Sequence, residues 1–307
     1  MQSANRQRIG AASVAIILAW AASPALAQAP SDAKAAGDVV SRAEIGLMIM
    51  SAIGRVPRSN AQDARDRGMI PTGLVPKFDD RVNCFDIDDT WAQDYGARRG
   101  RDAMHGGIDI PAPRGTPILA IAAGEVVAKF LHEDSADGIQ IWLRHSPDDT
   151  GLPVWTYSQY AHLRELPELP IGARVRMGDP IGNTSNTGIS GAEARTGGAS
   201  RNMLSKERRD AVHFAVVYST SRQYFRDDRR LIPKDGWWMD PNAIYRKAPP
   251  FDSVSMKALP SEQKQVPIPY TLADGTKVPA DTKLIWPYAC LPKSQPLPSV
   301  RRNPPER

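Results

Sequence analysis

Cysteine is scarce: Cys84 and Cys290 are the only two in 307 residues. Two cysteines so far apart exclude a zinc ribbon built on paired CxxC motifs. Aromatic residues make up only 7% of the chain, and none interleaves with a basic cluster, so nucleic acid is not an expected partner. Histidine occurs five times, at 105, 132, 145, 162 and 213. Neither sign of charge dominates: 39 Lys and Arg against 34 Asp and Glu leave +5, which suits an anionic polymer without requiring one. There is no internal repeat. What remains, 41% hydrophobic and 24% charged residues, is globular composition, and it excludes wholesale disorder, collagen and a coiled-coil rod.

The one long apolar run lies at the start. Arg6 and Arg8 precede an apolar stretch from Ile9 to about Trp20, and Ala25-Leu26-Ala27 offers small residues for cleavage. This pattern predicts a signal peptide over 1–27, and with it a periplasmic or secreted mature protein. The run is short for a membrane span, and no cysteine follows the cleavage point, so no stable membrane anchor is expected after processing. In that setting Cys84 and Cys290 are expected to form a disulfide, the alternative being two buried thiols. The long loop it closes makes such a bond worth about 5 kcal/mol in the chain-entropy account.

Along the mature chain the texture changes three times. Residues 28–83 read as linker plus one helix, with Ser41 and Glu44 as a capping box and Ile45, Met48, Ile49 and Ile53 as its apolar face. The polar stretch Ser59 to Arg67 reads as solvated surface or loop. From 84 to 248 short β-type runs alternate with Gly, Pro and Asp punctuation. Candidate strands are Pro117–Ala122, Glu125–Leu131, Ile139–Arg144, Trp155–Tyr160, Pro180–Asn183 and Val212–Tyr218. Many short strands with frequent turns predict a mainly β fold, an antiparallel sandwich or barrel. Residues 192–209 interrupt the rhythm with a Gly-, Arg- and Ser-rich insertion. Residues 249–307 form a Pro-rich carboxy-terminal appendage with one hairpin signal at Asp274-Gly275.

Chemistry concentrates on few residues. In Met104-His105-Gly106-Gly107-Ile108-Asp109-Ile110, an extended backbone from Gly107 onward gives His105 and Asp109 the even separation that aims both at one face. Imidazole and carboxylate are two of the three protein ligands a catalytic zinc needs. The third candidate is His213, in an alternating strand where it faces away from Phe214. His162 closes an aromatic-rich strand at Tyr160-Ala161-His162-Leu163, where it is placed to exchange a proton with a reacting group or simply to face water.

These motifs, in this order, resemble the lysostaphin-type, LytM-like zinc endopeptidases, cell-wall hydrolases of the duplicated-hybrid-motif β fold. The blocks are Tyr95-Gly96-Ala97-Arg98-Arg99 before His105-Gly106-Gly107-Ile108-Asp109; Pro113-Arg114-Gly115-Thr116-Pro117 with Ala122-Ala123-Gly124-Glu125-Val126; and His145 leading to Tyr160-Ala161-His162-Leu163. Gly172 to Gly182, then Asn186-Thr187-Gly188 and the strand bearing His213, complete the set, which covers about half the chain. The resemblance implies Zn²⁺ held by His105, Asp109 and His213, with His162 as catalytic histidine, acting on peptides of peptidoglycan. Two features depart from the family. Its last motif is His-x-His, whereas here Ala211 stands at the first position, and Asp210, one step away on a strand, points to the other side. The insertion at 192–209 is the second. A non-catalytic domain that binds the wall, or activates another cell-wall hydrolase, is the alternative the alanine favours.

Overall fold

A computed structural model describes residues 37–54, 61–87, 95–99, 103–131, 135–188, 209–246 and 248–300. The segment expected to be a signal peptide, His132, and residues 192–208 of the insertion lie outside the described residues.

The centre is an antiparallel sheet of seven strands. In chain order they are β1 (Gly107–Pro111), β2 (Gly124–Leu131), β3 (Ile139–His145), β4 (Trp155–Ala161), β5 (Arg174–Val175), β6 (Ala211–Ser219) and β7 (Trp237–Met239). Their spatial order is β5-β2-β3-β4-β6-β7, with β1 pairing the first half of β6. The fold is mainly β and antiparallel, as the turn-punctuated sequence predicts. Four predicted strands fall within a residue or two of β2, β3, β4 and β6. Pro117–Leu119 and Pro180–Asn183 pair with each other beside the main sheet; the former stops three residues short of its predicted end.

The sheet sorts its residues by face. Alternation on β6 sends Val212, Phe214 and Val216 to a closed apolar side, where Tyr160 stacks on Phe214 at 5.5 Å between ring centroids. Ile108, Ile110, Ile141 and Leu143 are equally buried. Each such side chain stabilises the fold by about 1.5–3 kcal/mol. Asp109, His213, Ala215 and Gln159 occupy the other face.

The amino-terminal helix differs from expectation in detail. Ser41 and Glu44 do bond, the Ser41 N–H and hydroxyl both donating to the carboxylate, but they close a 3-10 turn at Arg42–Glu44. The α-helix restarts after Gly46 as α1 (Leu47–Ala52). That restart turns Met48 to solvent and buries Met50 beside Ile45, Ile49 and Ile53. The polar stretch after it is not loop: α2 (Ala61–Asp66) buries Ala64 and rests Ala61 against the core, and Ser51 donates to Asp63 across the two helices. One small buried residue among polar ones leaves no periodic signal to read.

The carboxy-terminal stretch shares the main core. Trp286 and Tyr288 are fully buried; the Trp286 indole donates to the Phe85 carbonyl at 2.7 Å, and the Tyr288 hydroxyl meets Thr184 Oγ1 at 2.7 Å. Residues Val75–Lys77 pair in parallel with Gln265–Pro267, and Val82–Asn83 pair with Leu291–Pro292. Cys84 and Cys290 form the expected disulfide, with Cα atoms 4.4 Å apart. The hairpin at Asp274-Gly275 is present, joining Tyr270–Thr271 to Lys277–Val278. Among the described residues no helix is long and apolar enough to cross a membrane.

Candidate metal centre

The site forms where β1 meets β6. Register sets Asp109 opposite His213, and directly paired residues of antiparallel strands share a face. His105 arrives from just before β1. Its amide donates to the Ala97 carbonyl at 2.8 Å, while its carbonyl accepts from the Gly96 N–H at 2.8 Å, so the segment around Gly96 holds it in place. Gly107 makes room: a Cβ there would sit 2.9 Å from the His213 ring and 2.4 Å from the Phe214 carbonyl oxygen. The imidazole of His213 therefore lies across β1 because that position has no side chain.

Three donor atoms converge. His105 Nε2 is 3.3 Å from Asp109 Oδ1 and 3.0 Å from His213 Nδ1, and His213 Nδ1 is 3.0 Å from the same carboxylate oxygen. All three residues are buried, with 5–7% exposure. They are the one group of three or more His, Cys, Asp or Glu among the described residues with the spacing to hold a metal ion. The donor set fits one. Donors about 2.0–2.1 Å from a tetrahedral Zn²⁺ stand roughly 3.3 Å apart, close to the edges of this triangle. Two imidazoles and a carboxylate are borderline-soft and hard donors that suit a divalent ion. Burial pushes the Asp109 carboxyl up, but the charges and hydrogen bonds of His105 and His213 outweigh it and hold the group well below the usual carboxylate range. It is an anion, ready to ligate.

His162 follows β4 directly, with φ +64° in the left-handed region. That turn swings its ring back over the sheet, 5.9 Å from the His213 ring between centroids. His162 Nδ1 lies 2.8 Å from the Thr187 carbonyl oxygen, which can only accept, so Nδ1 carries the proton and Nε2 is the basic nitrogen of the neutral ring. The four residues singled out in the sequence thus meet at one place.

The other candidates separate. His145 lies at the far end of the sheet, fully buried, with Nδ1 at 2.7 Å from the Ala123 carbonyl and Nε2 at 2.7 Å from Ser158 Oγ. Burial lowers its pKa to about 4. It is a structural residue. Ala211 is buried at the start of β6, on the face of His213. Asp210 is bound by Arg114, whose Nε donates to its carboxylate at 3.0 Å while Nη2 donates to Asn186 Oδ1 at 2.7 Å. Sequence reasoning did not foresee Thr187, which acts through a backbone carbonyl and so leaves no side-chain signature. It also passed over Gln140 and Gln159, which sit on the His213 face.

The profile of Peptidase family M23 matches residues 103–219. An uncharacterized metalloprotease of Buchnera aphidicola subsp. Baizongia pistaciae (strain Bp) is 35% identical over 91 residues, 29% of this chain and 21% of that protein. The match therefore spans about a fifth of that relative's length. Among solved structures, the catalytic domain of the antimicrobial peptidase lysostaphin from Staphylococcus simulans is 25% identical, with 39% of this chain and 71% of that one covered at a TM-score of 0.27. LytU is 25% identical, with 40% and 67% covered at a TM-score of 0.29. The matched segment starts two residues before His105, ends with β6, and encloses Asp109, His162 and His213. The motif resemblance holds: residues 103–219 match the model of Peptidase family M23, and the stretch so matched is the one that carries the metal-ligand candidates.

Proposed function

We propose that this protein is a periplasmic or secreted zinc metallopeptidase that hydrolyses peptide bonds in peptidoglycan. The observation that carries the reading is the convergence of His105 Nε2, His213 Nδ1 and Asp109 Oδ1 within 3.0–3.3 Å of one another, with His162 beside them. Zinc bound by these three supplies a Lewis acid that polarises a scissile carbonyl and makes water nucleophilic near neutral pH. Two neutral imidazoles and one carboxylate leave such a site a net +1 charge, which favours an oxyanion developing next to it. The chain's own part is fixation and proton handling. Asp109 and His213 are locked by the β1–β6 register, and His105 by its backbone bonds to Gly96 and Ala97. His162 keeps Nδ1–H on Thr187 and offers Nε2 to accept a proton from the nucleophile and return it to the leaving amine, as imidazole can near neutral pH. Near-complete burial of the ligands excludes bulk water and strengthens these interactions.

Ala211 favours a second reading, a domain that binds peptidoglycan or activates another wall hydrolase with little turnover of its own. One experiment separates the two. Purified peptidoglycan is incubated with the mature protein, with and without chelator, and new amino termini are counted. Termini that appear and vanish on chelation support the peptidase. His162→Ala should then lose about 10²–10⁴ in rate with zinc retained, and Ala211→His should gain rate. Bound peptidoglycan without new termini sinks the peptidase and leaves the second reading.

A further inference from the structure

His162 is the ring of the site that stands outside the ligand triangle, so the protein alone must hold it. Its backbone lies at φ +64°, in a left-handed region that disfavours a residue with a Cβ and persists only where the surroundings over-determine it. Two turns from distant parts of the chain do so. The Asp137 carbonyl accepts from the His162 N–H at 3.0 Å, and the Thr187 carbonyl accepts from Nδ1 at 2.8 Å. One turn holds the main chain and the other holds the ring.

The two turns grip each other through glycines. Gly138 and Gly188 both have positive φ, +60° and +98°. A Cβ on Gly138 would stand 2.6 Å from the Thr187 carbonyl oxygen, and one on Gly188 would stand 2.5 Å from the Ala136 carbonyl oxygen. Backbone meets backbone with no room for a side chain on either. The oxygen that a larger residue at 138 would strike is the one that binds the His162 ring.

The Thr187 hydroxyl locks the pair to the sheet. It accepts from the Ile139 N–H at 3.2 Å and donates to the Leu163 carbonyl at 2.8 Å. One side chain, 2% exposed, thus joins the first residue of β3 to the residue that follows His162. Its single proton and its lone pairs are both engaged, so the direction of the Thr187 carbonyl is set from two sides. The Asp137 turn has an anchor of its own. Gln159 Nε2 donates to Asp137 Oδ2 at 3.3 Å and to Gln140 Oε1, which also accepts from the Trp142 indole at 2.9 Å.

We propose that Gly138 and the Thr187 hydroxyl are positioning residues that fix the place and the tautomer of the His162 ring. A carbonyl oxygen can only accept, so while it stays on line the proton remains on Nδ1 and Nε2 keeps its lone pair. Displaced, it releases the ring to the other tautomer, whose Nε2 carries a proton and cannot act as a base. The use made of Nε2 rests on the peptidase reading; the clamp itself does not.

The test is a long-range proton–nitrogen NMR correlation of the His162 ring in the zinc-loaded mature chain, well above about pH 6.5, where a free histidine is neutral. The signals are assigned by their loss in His162→Gln. Wild type should show the Nδ1–H tautomer. Thr187→Val, which keeps the shape and removes the hydroxyl, should shift the ring toward the Nε2–H form with zinc still at one equivalent. Its rate of releasing amino termini at saturating peptidoglycan should fall about 10–100-fold, part of the 10²–10⁴ that a placed acid–base group supplies, with half-saturation unchanged. Thr187→Ser restores the hydroxyl and should bring back the wild-type tautomer and most of the rate. Gly138→Ala leaves every hydrogen-bonding group in place and should move the ring as Thr187→Val does. An Nε2–H ring in wild type overturns the proposal whatever the variants do. So does a rate loss with unaltered ring signals, which would make the role structural only. A tautomer that follows these substitutions in a protein releasing no new amino termini would uphold the clamp while removing the peptidase.

Discussion

Two histidines lie over glycines at opposite ends and on opposite faces of one sheet. His213 crosses Gly107, where a Cβ would stand 2.9 Å from the ring; His145 crosses Gly124, where a Cβ would stand 2.6 Å from Nδ1. The backbone device is the same and the chemistry differs. At the His213 end, a ring nitrogen faces another imidazole and a carboxylate within 3.0 Å. Lone pairs and negative charge brought together in a buried place want a cation. At the His145 end both nitrogens are matched by neutral oxygens, and nothing is left for a ligand. Burial alone therefore does not mark a functional histidine; what the nitrogens face does.

The largest effect should come from breaking the first end. Asp109→Asn keeps the shape and removes the charge that offsets the metal. We expect bound zinc in the purified protein, read by elemental analysis, to fall from near one equivalent to a small fraction, and hydrolysis with it. Full zinc occupancy in that variant would show that the carboxylate is not a ligand. The corresponding change at the other end, His145→Gln, should leave zinc unaltered.

The glycines sharpen the contrast. Gly107→Ala pushes the His213 ring off its line and should weaken zinc binding about 10–100-fold, the size seen when groups that orient a ligand are disturbed. Gly124→Ala pushes on a ring that carries no metal. It should cost about 1–3 kcal/mol of folding stability, as overpacking does, with zinc affinity unchanged. Denaturant unfolding and zinc titration on both variants give four numbers. If the two substitutions proved interchangeable in them, the distinction between the two ends would fail.

Much of this was legible in the sequence because it depends on alternation. Val212, Phe214 and Val216 against His213 fixed the strand and its faces, and the even separation of His105 from Asp109 placed both on one side. What escaped has physical causes. α2 is held by two alanines and a side-chain hydrogen bond, too little for a periodic signal. The hairpin of Tyr224–Arg226 and Leu231–Pro233 has strands of three residues each, too short to show alternation. Thr187 orients His162 through its carbonyl, which every residue possesses. The Gln140 and Gln159 carboxamides became interesting only once register set them on the His213 face, two strands and one strand away from it, since polar residues on a strand otherwise read as a solvated face.

The quiet end should also give a pH dependence of stability. The folded-state pKa of His145 is about 4, against about 6.5 for an unfolded histidine. Above pH 6.5 the ring is neutral in both states and costs nothing. Between 6.5 and 4 the unfolded chain takes up a proton that the folded one refuses, so stability falls as the pH is lowered through that window and levels off below it. The loss attributable to His145 is about 3 kcal/mol if the whole shift is realised. Other histidines also titrate there, so the quantity to measure is the difference between wild type and His145→Gln, from urea unfolding at steps between pH 7.5 and 3.5. Glutamine can still donate to the Ala123 carbonyl but does not titrate, so its profile should be flatter by that amount. Parallel profiles would mean that His145 accepts its proton in the folded state, and that its two neutral hydrogen bonds do not define it as we argue.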